Sequence, residues 1–214
     1  MRLPIRVHPL LDGVFWWESY SEEHRVELGS CAILHGSDFL VFDPIGSPAQ
    51  IFHQINQISS SSTEPRPEQK PTAIVLTNGN HERVSEYWSE TFQVPIYASD
   101  QCGLRAERFR PLHSGPSPLE GCHCSHLEGG GPGELALFLK AKSLVIFGDA
   151  IVHLPSRGLE LLPAKYCTNA AQLRASITRF VQDVSFEHAL MAHGTPLLTD
   201  AREKITAMLA KLTS

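Results

Sequence analysis

The run Ala73-Ile74-Val75-Leu76 is apolar at every position and passes without a break into Thr77-Asn78-Gly79-Asn80-His81-Glu82-Arg83. A strand with one wet face alternates apolar and polar residues; an unbroken apolar run needs cover on both faces. The chain must therefore place layers on both sides of a sheet. The polar residues after the run leave at the strand's carboxyl end, where layered α/β folds gather their sites.

The rest of the chain supplies such layers. Val14-Phe15-Trp16-Trp17, Cys31-Ala32-Ile33-Leu34 and Phe39-Leu40-Val41-Phe42 predict strands, the last two joined through Gly36-Ser37-Asp38 as a hairpin. Trp16 and Trp17 then point to opposite faces, one into the core and the other at a cleft rim. Ser47 and Pro48 open a helix with Ile51, Ile55 and Ile58 on one face. Val84, Tyr87 and Trp88 mark a second inward-facing helix, and Val94–Tyr97, Leu135–Leu139, Leu144–Phe147 and Ala189–Ala192 are further strands. Asn169 caps a helix carrying Leu173, Ile177, Phe180 and Val181, and Thr199 or Asp200 caps a last one with Ile205, Met208, Leu209 and Leu212 inward. Residues 59–71 are polar and proline-bearing, and predict a mobile surface loop within one domain spanning 1–214.

Charge and cysteine usage narrow the partners. The net charge is −5 and the longest basic cluster, Arg105 to Arg110, is interrupted by Glu107, so no nucleic-acid partner is expected. No apolar run reaches membrane-spanning length and the N-terminus has no apolar leader, so the expected location is cytoplasmic with no membrane partner. Five cysteines, an odd number without paired spacing, predict reduced thiols. Cys122, Cys124 and His126 would share one strand face, but no second Cys/His pair completes a metal site, and small buried hydrophobes are the preferred reading. The Gly129-Gly130-Gly131 run lacks the Lys-Ser/Thr that ends a phosphate-binding loop.

Three strand ends carry the chemistry: Leu76-Thr77 with its polar successor, Phe147-Gly148-Asp149, and Met191-Ala192-His193-Gly194. An Asp and a His from different strands converging there could bind a metal or share a proton. Together with Phe42-Asp43-Pro44-Ile45-Gly46 and Gly129-Gly130-Gly131-Pro132-Gly133-Glu134, these segments resemble, in order and wording, the metallo-β-lactamase superfamily from about Val14 to Pro196. The resemblance implies an α+β chain folded as a four-layered αβ/βα sandwich, and a metal-dependent hydrolase.

The ligand set departs from that pattern. Carried over position by position, the first two His ligands become Asn78 and Asn80, the ligand Asp becomes Glu82, and the adjacent His becomes Arg83. The His of the glycine loop becomes Gly130, and only Asp149 and His193 stay. Neutral amides are poor zinc ligands, glycine offers none, and arginine brings a fixed positive charge, so the usual dinuclear site and its zinc hydrolysis are not expected. No cofactor is expected; the alternative is one weakly bound divalent metal (zinc, iron or manganese) held by Glu82, Asp149 and His193.

These residues support two functional readings. In the first, the protein is a degenerate member that binds a small molecule or a partner in a polar cleft formed by Asn78, Asn80, His81, Glu82, Arg83 and Glu134. In the second, it is a hydrolase of a small ester, thioester or phosphodiester, with Asp149 and His193 catalytic in a rebuilt mononuclear or metal-free site. Each residue also has a plainer role. Asp149 and His193 could brace loop ends, Asn78 and Asn80 form turns, His81 sit at the surface as a helix start, and Glu82 complement a helix dipole. An inward Arg83 would place its guanidinium where the metal charge was, paired with Asp149 and Glu82.

Overall fold

The computed structural model describes residues 5–60 and 70–212. Its strands are β1 (His8–Leu11), β2 (Val14–Ser21), β3 (Val26–His35), β4 (Asp38–Phe42), β5 (Ala73–Val75), β6 (Ile96–Ser99) and β7 (Phe109–Leu112), which form one sheet in that order. A second sheet has the order β14-β11-β10-β9-β8, from β8 (Gly115–Pro116), β9 (Cys122–His126), β10 (Leu135–Leu139), β11 (Leu144–Phe147) and β14 (His188–Met191). The hairpin of β12 (Ile151–Leu154) and β13 (Gly158–Leu161) stands apart from both. The helices are α1 (Pro48–Ser60), α2 (Ser85–Phe92), α3 (Ala170–Asp183) and α4 (Ala201–Lys211).

The alternation of side chains along the strands shows the layers. In the second sheet Leu135, Leu137, Leu144 and Ile146 pack against Ile33, Leu40, Phe42 and Val75 of the first. Their neighbours Ala136, Val145 and Phe147 face the other way, onto Leu173, Ile177 and Phe180 of α3 and Ile205 and Met208 of α4. In the first sheet Ala32, Val41 and Ile74 turn outward onto Ile51 and Ile55 of α1 and Trp88 of α2. Three apolar clusters therefore fill three interlayer spaces, and the architecture is helices, sheet, sheet, helices. Every residue of β5, β10 and β11 except Phe138 is fully buried, as two-sided cover requires.

Local chemistry explains the element ends. Ser47 accepts the first helical bond, from the Ile51 N–H, and Pro48 opens α1 with no donor to lose. Asn169 Oδ1 caps α3 by accepting from the Gln172 N–H at 3.1 Å. The β3–β4 hairpin closes on Gly36-Ser37 alone, because Asp38 already pairs with His35. Trp16 and Trp17 face opposite sides as expected: Trp17 is fully buried under α2, stacked on Trp88 at 6.1 Å, while Trp16 packs between the sheets.

Several expectations are corrected. Val84 and Tyr87 are exposed; only Trp88 of that trio points inward, because α2 lies on the sheet through Ser85, Trp88 and Ser89. Leu212 is half-exposed just past α4. Asp200 occupies the cap position of α4 but makes no side-chain cap bond. Ser59 and Ser60 belong to α1, and the rest of the expected loop, apart from residues 70 and 71, lies outside the described residues. The β12–β13 hairpin, β1, β7 and β8 had no sequence signal strong enough to place them. No helix among the described residues is long and apolar enough to cross a membrane.

Candidate functional site

The site is built where β4, β5, β11 and β14 end. Asp43 follows β4 in a left-handed conformation (φ +45°) and turns its carboxylate toward β5. Asp43 Oδ1 accepts from the Thr77 N–H at 2.9 Å and Oδ2 from the Thr77 hydroxyl at 2.5 Å. After Thr77 the chain makes one tight 3-10 turn, Gly79–His81, capped by Asn78 Oδ1 accepting from the Asn80 N–H.

That turn decides which side chains enter the site. With three residues per turn, positions i and i+3 fall on one side, so Asn78 and His81 both face inward while Asn80 and Glu82 are exposed. His81 is therefore neither a surface nor a capping residue. Its Nδ1 lies 3.0 Å from Asp43 Oδ2 and its Nε2 3.0 Å from Asp149 Oδ1. From the opposite wall, His193 Nε2 also lies 3.0 Å from Asp149 Oδ1, and His193 Nδ1 is 2.8 Å from the Glu27 carbonyl oxygen. His81, Asp149 and His193 present ligand atoms within 4.8 Å of one another, close enough that the three could hold a metal ion. Glu82, named with Asp149 and His193 as the alternative ligand set, is not part of this cluster; His81 stands there instead.

Arg83 points inward, with φ +44° turning its side chain back under the site. Its Nη1 donates to the carbonyl oxygens of Gly29 and Asp43 at 2.9 and 2.8 Å, and Nη2 is buried without a partner. The expected ion pair with Asp149 and Glu82 is absent among the described residues; the place between the carboxylates is taken by the His81 ring. The guanidinium nonetheless adds positive charge beside Asp43 and Asp149.

The charges are interlocked. Burial pushes the His81 pKa down, but the Asp43 and Asp149 carboxylates outweigh it and raise it to about 9. Burial would raise Asp149, yet His81 and His193 hold it well below the usual carboxylate range. Asp43 is likewise lowered against burial, by His81, Arg83 and the Thr77 hydroxyl. Glu134 is the exception: burial, and then the Asp149 charge, push its carboxyl up. It accepts from Asn78 Nδ2 at 2.8 Å and from the Ala150 N–H at 2.9 Å.

Of the predicted cleft residues, Asn78, His81, Arg83 and Glu134 lie inside with Asp149 and His193, whereas Asn80 and Glu82 stand at the surface. A cavity of about 470 Å³ opens elsewhere, between β13 and α4, and none of these residues lines it. Sequence reasoning missed Asp43 and Thr77 as partners of His81. The Asn78-Gly79 pair was the available signal, since it favours a tight turn that rotates His81 inward. Cys122 and Cys124 are buried between the sheets, where burial pushes both thiols up to about 12, as expected of apolar filler.

Solved structures share the whole architecture. The metallo-β-lactamase DIM-1 aligns over 100% of this chain and 100% of its own, with TM-score 0.73 and 15% identity. The metallo-β-lactamase FIM-1 from Pseudomonas aeruginosa, in its mono-zinc form, aligns over 99% of this chain and 97% of its own, with TM-score 0.74 and 16% identity. A metallo-β-lactamase from Pontibacter korlensis aligns over 97% and 99%, with TM-score 0.72 and 12% identity. No protein-family model matches the chain, and no curated protein does. The chain has the metallo-β-lactamase fold, with a partial His/Asp cluster at the ends of its strands.

Proposed function

We propose that the protein binds one divalent metal ion through His81 Nε2, Asp149 and His193 Nε2, and is a mononuclear hydrolase of a small ester, thioester or phosphodiester. The observation that carries this reading is the convergence of two imidazoles and a carboxylate, each ring backed through Nδ1 by an acceptor: the Asp43 carboxylate for His81 and the Glu27 carbonyl for His193. Such backing fixes the ring and the nitrogen it offers, as it does behind metal-ligating histidines generally. Three protein ligands with an open position are what a catalytic zinc site requires. The fold's occurrence in a protein with a mono-zinc form agrees with a single ion.

A metal held there would act as a Lewis acid on a carbonyl or phosphoryl oxygen. Around it, the chain's own residues set the conditions. Asp43 and Thr77 hold His81 in orientation, the Glu27 carbonyl does the same for His193, and Arg83 from below balances carboxylate charge.

A second reading rests on one feature of the same geometry. Asp149 Oδ1 receives both Nε2 atoms at 3.0 Å, so the cluster can satisfy itself as a closed network without a metal, and the protein would then be a non-catalytic small-ligand binder. Elemental analysis of tag-free protein after exposure to zinc, iron and manganese separates the two, together with a panel of ester, thioester and phosphodiester substrates. One metal per chain, lost in His81→Ala, Asp149→Ala and His193→Ala, supports the hydrolase. No metal under any condition rejects it in favour of the closed network.

A further inference from the structure

Glu134 is only 2% exposed, and the backbone has made room for it. A β-carbon at Gly130 would come within 2.9 Å of Glu134 Cγ, and one at Gly148 within 2.6 Å of Oε1. Real β-carbons do not approach that closely, so the side chain occupies space that only glycine at those positions leaves open. Its two oxygens reach different halves of the site. Oε2 accepts from Asn78 Nδ2, at the start of the same 3-10 turn that carries His81, and Oε1 accepts from the Ala150 N–H, directly after Asp149.

We propose that Glu134 is the positioning residue of the metal site: by bridging Asn78 Nδ2 and the Ala150 N–H it sets the distance between His81 and Asp149. This rests on the mononuclear metal site proposed above. The bridge joins the loop after β5 to the turn after β11, and no other side chain among the described residues accepts from both. Both oxygens act as acceptors, a pattern an amide cannot reproduce, because a Gln side chain has one acceptor oxygen and a donor nitrogen. Turning Asn78 over would not restore the bond, since its Oδ1 already holds the Asn80 N–H. Glu134→Gln therefore keeps the shape of the site but breaks one end of the bridge.

The test compares the parent protein with Glu134→Gln and Asn78→Ala, the second removing the other end of the bridge and leaving Glu134 in place. Cobalt(II) is the probe: affinity is read by equilibrium dialysis with elemental analysis, and coordination by the visible d–d bands. In parallel, NMR of the metal-free proteins reads the hydrogen-bonded ring N–H of His81. Both variants are expected to bind cobalt roughly 10–100-fold more weakly, with altered d–d bands, as loss of a group supporting metal ligands does. The His81 ring N–H signal is expected to broaden or vanish in both. Unchanged affinity, bands and ring signal in either folded variant overturn the proposal and leave Glu134 as packing. If the parent protein binds no cobalt, the metal reading fails by itself. The ring N–H signal then decides the positioning role alone: its loss in the variants supports the role, and its persistence overturns it.

Discussion

His81 Nδ1 lies 3.0 Å from Asp43 Oδ2, although 38 residues separate them. The same ring meets Asp149 on its other side, so one buried imidazole is clamped between two buried carboxylates. The geometry gives the ring two alternative states. It can carry both protons and close an ion-paired network, or give up the Nε2 proton and offer that nitrogen to a metal. At the proposed metal site, proton and metal would compete for one nitrogen atom.

Removing the ring should damage both stability and metal binding. His81→Ala leaves Asp43 and Asp149 buried without their main partner, and breaking one side of a buried ion pair costs about 3–5 kcal/mol. Urea denaturation should show a loss of that order, and elemental analysis should find no bound metal. A loss below about 1 kcal/mol with metal retained would mean that the ring is not the keystone of the cluster.

Glu82 should be dispensable. It is exposed, one residue past the 3-10 turn, so Glu82→Ala should change stability by less than about 0.5 kcal/mol and leave metal content unchanged. A Glu82→Ala protein that lost its metal would restore Glu82 as a ligand and displace His81 from that role.

Stability should depend on pH in a defined direction. His81 titrates at about 9 in the folded protein against 6.5 as the ordinary value, so the folded state binds this proton more tightly. Its contribution is complete below pH 6.5 and is lost as the pH rises through about 9. The Tm of metal-free protein should fall across that window, more steeply than in His81→Ala. Metal must displace the Nε2 proton, so metal affinity should rise over the same window, with proton release detectable by calorimetry in buffers of different ionisation enthalpy. Equal slopes in the two proteins would remove His81 as the source.

The outer layer has its own anchor. Trp88 is fully buried, stacks on Trp17, and donates its indole N–H to the Gly46 carbonyl at 3.0 Å. Trp88→Ala should cost about 3–5 kcal/mol through the cavity it leaves. Chemical denaturation measures it, and a cost under about 1 kcal/mol would mean that α2 contributes little to the layer.

Much of the fold was legible because side-chain periodicity is a local property. Leu135 to Leu139 and Leu144 to Phe147 read as strands and are so, and Asn169 reads as a cap and is one. What escaped were elements defined by pairing rather than pattern. The β12–β13 hairpin buries Ile151 and Val152 side by side and leaves its other residues half-buried, with no alternation to read, and β7 and β8 are short edge segments held by their neighbours. Val84 and Tyr87 misled because the buried stripe of α2 runs through Ser85, Trp88 and Ser89, at i, i+3 and i+4, which leaves Tyr87 on the solvent side and Val84 before the helix.

The candidate site divides along the same line. Sequence alone determined that Asp149 and His193 stand at strand ends and that residues 78–83 come after a doubly buried strand. It could not determine which polar residue of that segment enters the site. Tertiary structure decided this: a three-residue turn, held by Asn78 and by the Gly79 N–H bonding to the Pro132 carbonyl, rotates His81 inward and Glu82 out. The physical reason is that the bonds fixing His81 span 38 and 68 residues. Local propensity sets the turn, but only the packed sheets bring the two carboxylates to the distance at which they hold the ring.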